Sequence, residues 1–230
     1  MGLSQAGKRA LVTGASSGIG AAIVDRLLAD GWHVLGMSRS KPAIRATGFE
    51  HRAVDLSSEA DLEAGLVGIG RVDAIVHAAG KLRVGGIGAL DLGEGREMWR
   101  LHVEASTQLV NTLVPQMTGH GRVVLIGSRT ARGSAERAQY AASKAAMVGL
   151  ARSFAIELAP RGITVNVISP GATDTPMLSD PARASVRPKL PPIGRLIRPS
   201  EIADLAGYLL SPSAAGITGQ EIVVCGGASL

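Results

Sequence analysis

Residues 9–20 read RALVTGASSGIG, a short apolar run that passes into a glycine-rich turn and then into a helical pattern. Gly14, Gly18 and Gly20 let the backbone turn tightly and approach a pyrophosphate, which then lies against the positive end of the helix. A strand, such a turn and a helix in this order indicate a dinucleotide-binding site. The alternative interpretation of the three glycines is a tight strand-to-helix turn that binds no ligand.

Short apolar runs alternate with helical patterns along the rest of the chain. Strands are predicted at RALVTG (9–14), HVLGMS (33–38), AIVHAAG (74–80), RVVLIGS (122–128), TVNVISPG (164–171) and EIVVCGG (221–227). Helices are predicted over 18–31, 59–70, 95–117, 139–160 and 199–211. This alternation predicts the α/β class, with a doubly wound parallel sheet (a Rossmann fold) covered by helices on both faces.

Length and composition predict one domain over residues 1–230 and exclude several functions. The 46% hydrophobic and 19% charged content is ordinary for a globular protein. The net charge is +5, but the basic residues are scattered and Trp, Tyr and Phe number two each, which argues against a nucleic-acid partner. With Cys225 as the single cysteine and no close His pair, we predict neither a disulfide nor a metal site. The absence of an apolar leader or a long apolar stretch predicts a cytoplasmic protein without a membrane partner.

A second motif lies at RAQYAASKAAM (137–147), where Tyr140 stands four residues before Lys144. On a helix this spacing puts both side chains on one face, so that they reach one pocket. Taken alone, the spacing is common, and a structural pair is the alternative interpretation. Ser128, which ends a predicted strand twelve residues before Tyr140, falls at the edge of the sheet where ligands bind.

In this order, the motifs resemble those of the short-chain dehydrogenase/reductase family, and the resemblance covers essentially the whole chain. Thr13 to Gly20 match the cofactor turn TGxxxGxG, and Asp55 with Leu56 matches the acid that contacts adenine. The ISPGATDTPM segment matches the Pro-Gly turn of the family. The cofactor-binding residues that the resemblance implies are Gly14, Ser16, Ser17, Gly18, Ile19, Gly20, Ser38, Arg39, Asp55, Leu56, Ala79, Gly80, Tyr140, Lys144, Pro170, Gly171, Thr173 and Thr175.

The resemblance implies an NAD(P)-dependent oxidoreductase that interconverts a ketone or aldehyde and an alcohol. Tyr140 would act as general acid and base, and Ser128 would donate a hydrogen bond to the reacting oxygen. Lys144 would bind the nicotinamide ribose and lower the pKa of Tyr140, because a free tyrosine titrates near pH 10. The alternative is a catalytically silent sensor or scaffold that binds a dinucleotide.

The preferred cofactor is predicted from Ser38 and Arg39, which end the second predicted strand. An acid at this place would hydrogen-bond the ribose 2′-hydroxyl of NAD, whereas an arginine binds a 2′-phosphate through charge-assisted hydrogen bonds. We therefore predict NADP in preference to NAD. A solvated surface charge is the alternative interpretation of Arg39.

The sequence departs from the family pattern in three places. His102 stands where the family has an asparagine, and it could hold water, titrate, or simply pack between helices. The family's Asn-Asn-Ala-Gly is His77 to Gly80 here, and Cys225 replaces an aspartate. For His77 and Cys225 we expect packing and hydrogen bonding at the sheet end rather than chemistry.

Residues 176–198 are irregular and contain five prolines, which predicts a substrate lid. The basic residues near Ser128 and in this lid are Arg129, Arg132, Arg137, Arg183, Arg187 and Lys189. They favour an acidic small-molecule substrate, including acyl chains on an acidic carrier protein, as in a 3-oxoacyl carrier protein reductase, unless they are solvated surface charges. The helix over 139–159 is apolar almost all round, which together with the resemblance predicts a homo-oligomer, a tetramer.

Overall fold

The computed structural model describes residues 7–183, 185–186 and 189–230, and within them it contains one parallel sheet of seven strands. The strands are β1 (Arg9–Thr13), β2 (His33–Ser38), β3 (Phe49–Ala53), β4 (Ala74–His77), β5 (Arg122–Ile126), β6 (Thr164–Pro170) and β7 (Glu221–Val224). Their order in the sheet is β3-β2-β1-β4-β5-β6-β7, so the chain reverses its direction of winding between β1 and β4. The predicted α/β, doubly wound fold is confirmed.

Helices cover both faces of the sheet. They are α1 (Gly18–Ala29), α2 (Glu59–Leu66), α3 (Leu92–Trp99), α4 (Ala105–Leu113), α5 (Ala138–Leu158) and α6 (Pro199–Leu210). Successive strand residues point to opposite faces: Val12 packs with α1 and α6, whereas Leu11 packs in the cluster that contains α2, α4 and α5. Within the described ranges, no helix combines the length and the apolarity needed to cross a membrane.

Two elements differ from the sequence prediction. The strand β3 was not predicted, because its sequence FEHRA has no apolar run; it lies at the sheet edge, is only partly buried and pairs with β2 alone. The helix predicted over 95–117 begins earlier, at Leu92, because Asp91 caps it by accepting the N–H groups of Gly93 (2.7 Å) and Glu94 (3.1 Å). It is also interrupted by a π-helical turn, Arg100–Glu104, between α3 and α4.

A buried polar network joins the carboxyl ends of β1 and β4. The Thr13 hydroxyl lies 2.9 Å from His77 Nδ1, and its oxygen accepts the N–H groups of Ala78 and Ala79, both at 3.1 Å. His77 Nε2 lies 2.9 Å from the carbonyl oxygen of Leu101 and donates to it. Since Nε2 carries the proton, Nδ1 accepts the Thr13 hydroxyl, and burial lowers the pKa of His77 to about 3. The expectation that His77 serves hydrogen bonding at the sheet end is confirmed.

Candidate active site

A cleft of about 1050 Å³ lies at the carboxyl ends of the strands, around the point where the winding reverses. In open α/β sheets this is the place where ligands bind. Every residue that the sequence analysis assigned to the cofactor or to catalysis lines this one cleft. The glycine turn, Ser128, Tyr140, Lys144 and the Pro-Gly turn are therefore brought together, although they are spread over most of the chain.

The glycine turn has the geometry of a phosphate cradle. Gly14 and Gly18 have φ angles of +68° and +56°, in the left-handed region that favours glycine. A Cβ on Gly14 would come within 2.8 Å of Ala79 N, and one on Gly20 would collide with the carbonyl oxygen of Gly14. Ser17, the N-cap of α1, makes no side-chain capping hydrogen bond, so the helix N-terminus has no anionic or hydroxyl cap of its own. These residues fit a pyrophosphate.

At the far end of the cleft, Ser38 and Arg39 follow β2. The Ser38 hydroxyl donates to the carbonyl oxygen of Ser40 (2.8 Å) and lies 3.1 Å from His51 Nε2. Arg39 is exposed and lines the cleft without a hydrogen bond to any residue in the described ranges. His51 was missed from the sequence because it lies on β3, which carries no apolar signal.

Asp55 lies beside this end of the cleft with its carboxylate already oriented. Its Oδ1 accepts the hydroxyl of Ser57 (2.6 Å) and the N–H of the same residue (3.0 Å). These hydrogen bonds, and to a smaller extent the charge of Arg39, lower the pKa of Asp55 below its ordinary value. Asp55 is therefore a fixed anion and hydrogen-bond acceptor at neutral pH.

Ser128, Tyr140 and Lys144 meet in the middle of the cleft, with 8%, 7% and 4% of their surfaces exposed. Ser128 Oγ accepts the N–H of Thr130 at 3.1 Å, and its hydroxyl acts to lower the pKa of the Tyr140 phenol. Lys144 Nζ donates to the carbonyl oxygen of Ile126 at 2.8 Å and lies 6.0 Å from the centroid of the Tyr140 ring. The three side chains therefore line the same cleft, with the ammonium group of the lysine beside the phenol ring.

The pKa values in this group differ from the prediction. Burial raises the pKa of Tyr140 above its ordinary value, opposed first by the Ser128 hydrogen bond and then by the charges of Arg183 and Arg137. Burial lowers the pKa of Lys144 to about 7. Lys144 is not among the groups that lower the pKa of Tyr140 in the protein alone, and its effect on the phenol beside a bound cofactor stays a prediction.

His102 lies on the π-helical turn and is buried against α5. Its Nε2 accepts the N–H of Lys81 at 3.2 Å, and its Nδ1 lies 2.9 Å from Ser143 Oγ, whose hydroxyl donates to the carbonyl oxygen of Tyr140 at 2.8 Å. The proton is therefore on Nδ1, and burial together with the charge of Lys144 lowers the pKa of His102 well below its ordinary value. Of the interpretations of His102, packing between helices is confirmed and titration near neutral pH is wrong.

The predicted basic cluster divides into two parts. Arg129, Arg137, Arg183 and Lys189 line the cleft, whereas Arg132 is exposed and does not reach it. Arg187 lies outside the described residues. Of the predicted lid, Pro176, Met177 and Leu178 line the cleft from the 3₁₀ turn Pro176–Ser179, and Arg183 lines it from the 3₁₀ turn Pro181–Arg183. Lys81 also lines it and was missed; it pairs with Glu94 at 2.6 Å and with Glu97.

Comparison with known proteins supports the same family as the motifs. A family model described as enoyl-(acyl carrier protein) reductase matches residues 14–229. The 3-oxoacyl-[acyl-carrier-protein] reductase FabG of Escherichia coli is 37% identical over 237 residues, which cover 96% of this chain and 97% of the relative. A solved short chain dehydrogenase/reductase family protein superposes with a TM-score of 0.89, at 30% identity, over 99% of each chain. The chain belongs to the short-chain dehydrogenase/reductase family.

A further solved structure, 3-ketoacyl-(acyl-carrier-protein) reductase from Brucella melitensis complexed with NADH, has a TM-score of 0.85. It is 31% identical and covers 98% of this chain and 99% of its own. This short-chain dehydrogenase/reductase is an NAD(P)-dependent oxidoreductase that interconverts a carbonyl and an alcohol, as the sequence predicted.

Proposed function

We propose that the protein reduces the carbonyl group of a substrate bound beside Tyr140, with NADPH as the preferred reductant. The observation that supports this most strongly is that the nearly buried side chains of Ser128 and Tyr140 line the same cleft as the glycine turn. Two adjacent hydroxyl donors at one point are suited to an oxygen on which negative charge develops.

In this proposal each side chain has one role. The reduced nicotinamide supplies the hydride, which forms the new C–H bond at the carbonyl carbon. The C–O π electrons move to the oxygen, Ser128 donates a hydrogen bond to it, and the Tyr140 O–H bond breaks to protonate it. The phenolate that remains is stabilised by the Ser128 hydrogen bond and by the charges of Arg137 and Arg183. Lys144, whose ammonium group donates to the carbonyl oxygen of Ile126, would bind the nicotinamide ribose and orient the cofactor.

The dinucleotide fits residues that lie along the cleft. Gly14, Gly18 and the uncapped N-terminus of α1 would hold the pyrophosphate. Asp55 would accept a hydrogen bond from the adenine amino group, and its fixed orientation supports this role. Arg39, exposed and without a carboxylate partner within ion-pair distance among the described residues, supports the preference for a 2′-phosphate. The relative from Brucella melitensis was solved with NADH, so the proposed preference for NADPH rests on Arg39 of this chain and not on that relative.

A 3-oxoacyl group on a carrier protein is one substrate class, because the Escherichia coli relative acts on it. The family model instead has the description of an enoyl reductase, and a catalytically silent sensor is the second candidate function. His102 in place of the family's asparagine permits the sensor, whereas the intact Ser128, Tyr140 and Lys144 argue for the enzyme.

Three further features of the proposal concern the whole molecule. Segment 176–198 would act as a lid, since it forms one wall of the cleft. The protein would be a homotetramer, because α5 exposes a face of small residues together with Ile156, whose side chain is 79% exposed. The cytoplasmic location stays a prediction.

The test is the change in NADPH absorbance with a panel of ketones, a 3-oxoacyl thioester and the matching 2-enoyl thioester. We expect NADPH to be oxidised in the presence of ketones and of the 3-oxoacyl thioester. In Tyr140→Phe, kcat should fall by about 10²-fold or more, because general acid catalysis contributes this much. NADPH binding, followed by its fluorescence, should persist in the variant. Saturable binding without substrate-dependent oxidation would identify the sensor, and turnover of the enoyl thioester alone would identify the enoyl reductase.

A further inference from the structure

Three arginines converge on the substrate end of the cleft from separate parts of the chain. Arg129 follows Ser128 directly, Arg137 is three residues before Tyr140, and Arg183 ends a 3₁₀ turn in the segment over the cleft. All three line the cleft and are partly buried. Charged side chains at such positions are costly unless they meet an opposite charge or serve a ligand.

These arginines lack the acidic partners that six other arginines of the described ranges have. Within the described ranges, none has a carboxylate within ion-pair distance, and the Nε atom of each is buried without a hydrogen-bond partner. Their Nη1 atoms donate to the neutral oxygens of Ala228 (3.2 Å), Ser134 (3.3 Å) and Met177 (3.4 Å). By contrast, ion pairs join Arg9 to Glu50, Arg26 to Asp30, Arg71 to Asp73, Arg83 to Asp180 and Arg195 to Glu201.

The three charges also repel one another. Burial lowers the pKa of Arg137, and the charges of Arg183 and Arg129 lower it further. Glu136, beside Arg137 in the chain, acts in the opposite direction, but it is exposed and its Oε2 accepts the Ser185 hydroxyl at 3.0 Å. The cluster is therefore an unneutralised positive site inside a cleft, which an anion entering the cleft would stabilise.

We propose that Arg129, Arg137 and Arg183 form a subsite for a carboxylate carried by the substrate itself. This inference rests on the proposed carbonyl reduction and names its substrate class as a short oxo acid. Arginine matches a carboxylate because its planar fork donates two parallel hydrogen bonds. Arg137 and Arg183 line the same cleft as Tyr140 and act electrostatically on its phenol, which fits a carboxylate and a carbonyl group carried by one small molecule.

The phosphodiester of a carrier-bound acyl chain has the same anionic chemistry and is the other source to be distinguished. Four substrates separate the two: acetoacetate, methyl acetoacetate, and the acetoacetyl thioesters of pantetheine and of 4′-phosphopantetheine. If the subsite binds a substrate carboxylate, kcat/KM for acetoacetate exceeds that for the methyl ester by about tenfold or more, as expected for a hydrogen bond to a charged group. The two thioesters should then have similar values of kcat/KM. The proposal would be overturned if kcat/KM were higher for the phosphorylated thioester than for the other thioester, while acetoacetate showed no increase over its methyl ester.

Matched arginine variants assign the effect to this cluster. Arg137→Gln and Arg183→Gln should lower the acid-to-ester ratio of kcat/KM by about tenfold, mainly through KM, whereas changes in proton transfer affect both substrates and cancel in the ratio. Arg132→Gln is the control. Arg132 ends the 3₁₀ turn Arg129–Arg132, is exposed and does not reach the cleft. If Arg137→Gln and Arg183→Gln leave the acid-to-ester ratio of kcat/KM unchanged, as Arg132→Gln should, the proposed subsite is wrong.

Calorimetry without cofactor makes the result independent of turnover. Acetoacetate should bind the wild-type protein and bind at least tenfold more weakly to Arg137→Gln, while methyl acetoacetate binds both weakly. Binding of acetoacetate without oxidation of NADPH by any of the four substrates would refute the proposed function and support the subsite. Turnover of all four substrates without a preference for the acid would support the function and refute the subsite.

Discussion

The imidazole of His102 lies edge-on to the phenol ring of Tyr140, with 5.6 Å between the ring centroids and 83° between the ring planes. The contact is fixed from both sides of the imidazole, since Nε2 is bonded to the N–H of Lys81 and Nδ1 to Ser143. Ser143 in turn bonds the main chain of Tyr140. His102 therefore connects the loop after β4, the π-helical turn and the first turn of α5, and it positions the phenol.

Replacing His102 by the family's asparagine should weaken this arrangement. Asparagine is too short to reach both Lys81 and Ser143, so one buried group loses its partner, which costs about 1–3 kcal/mol of the free energy of unfolding. We expect a several-fold lower kcat with little change in KM for NADPH, measured by absorbance, and a lower midpoint in urea. His33→Asn, at an exposed histidine, serves as control. Equal stability and activity in His102→Asn would contradict a positioning role.

His77 should be among the most costly side chains to remove. Both ring nitrogens are hydrogen-bonded and the ring is completely buried, so His77→Ala leaves the Thr13 hydroxyl and the Leu101 carbonyl oxygen without partners. We expect the free energy of unfolding to fall by about 2–4 kcal/mol in urea titrations. Burial lowers the pKa of His77 from 6.5 to about 3, so the unfolded chain takes up a proton at pH 6 that the folded protein does not, and the loss should be somewhat smaller at pH 6 than at pH 8. A loss that is larger at pH 6 than at pH 8 would mean that the histidine is charged when buried.

The sequence predicted those features that depend on local pattern and missed those that depend on burial. Gly14, Gly18 and Ser128 could be assigned because a strand, a turn and a helix follow one another in the chain. The pKa of Lys144 could not be predicted, since it depends on how many atoms cover the ammonium group once the sheet and α5 have packed.

Two further misses have the same cause. His51 lies on an edge strand that is stabilised by pairing with β2 rather than by its own apolar residues. The helical spacing of apolar residues continues through residues 95–117, so the sequence does not indicate that the turn Arg100–Glu104 is π-helical. The direction of the electrostatic effect on Tyr140 required the position of Arg183, which comes from a distant and irregular segment.

The buried Lys144 should produce a measurable pH dependence of stability. The unfolded chain holds this proton up to the ordinary pKa of 10.5, and the folded protein releases it near 7, so the unfolded state binds more protons between these values. Stability of the wild type relative to Lys144→Met should therefore rise with pH across this window, by up to about 1.4 kcal/mol per pH unit. Urea titrations of both proteins at pH 6, 7, 8 and 9 give this difference. A difference that stays constant over these pH values would show that the lysine keeps its proton when folded.

The cofactor preference depends on Arg39, which is exposed at the rim of the cleft. Replacing it by alanine removes a charged donor for a 2′-phosphate, and hydrogen bonds to charged groups contribute about 1.5–3 kcal/mol. We therefore expect Arg39→Ala to raise KM for NADPH by about tenfold or more and to leave KM for NADH nearly unchanged, measured with one saturating ketone.

Lys41→Ala is the matched control, because Lys41 is also exposed, carries the same charge and lies two residues further along the chain, but does not line the cleft. If attraction between the cofactor and the general positive charge of this surface were the cause, both variants would weaken NADPH to a similar extent, and the effect would disappear in high salt. A direct contact with the 2′-phosphate instead gives a large effect for Arg39→Ala alone that persists at high salt. Equal losses for NADPH and NADH in Arg39→Ala would mean that the arginine contacts a part that both cofactors share, and the preference for NADP would be wrong.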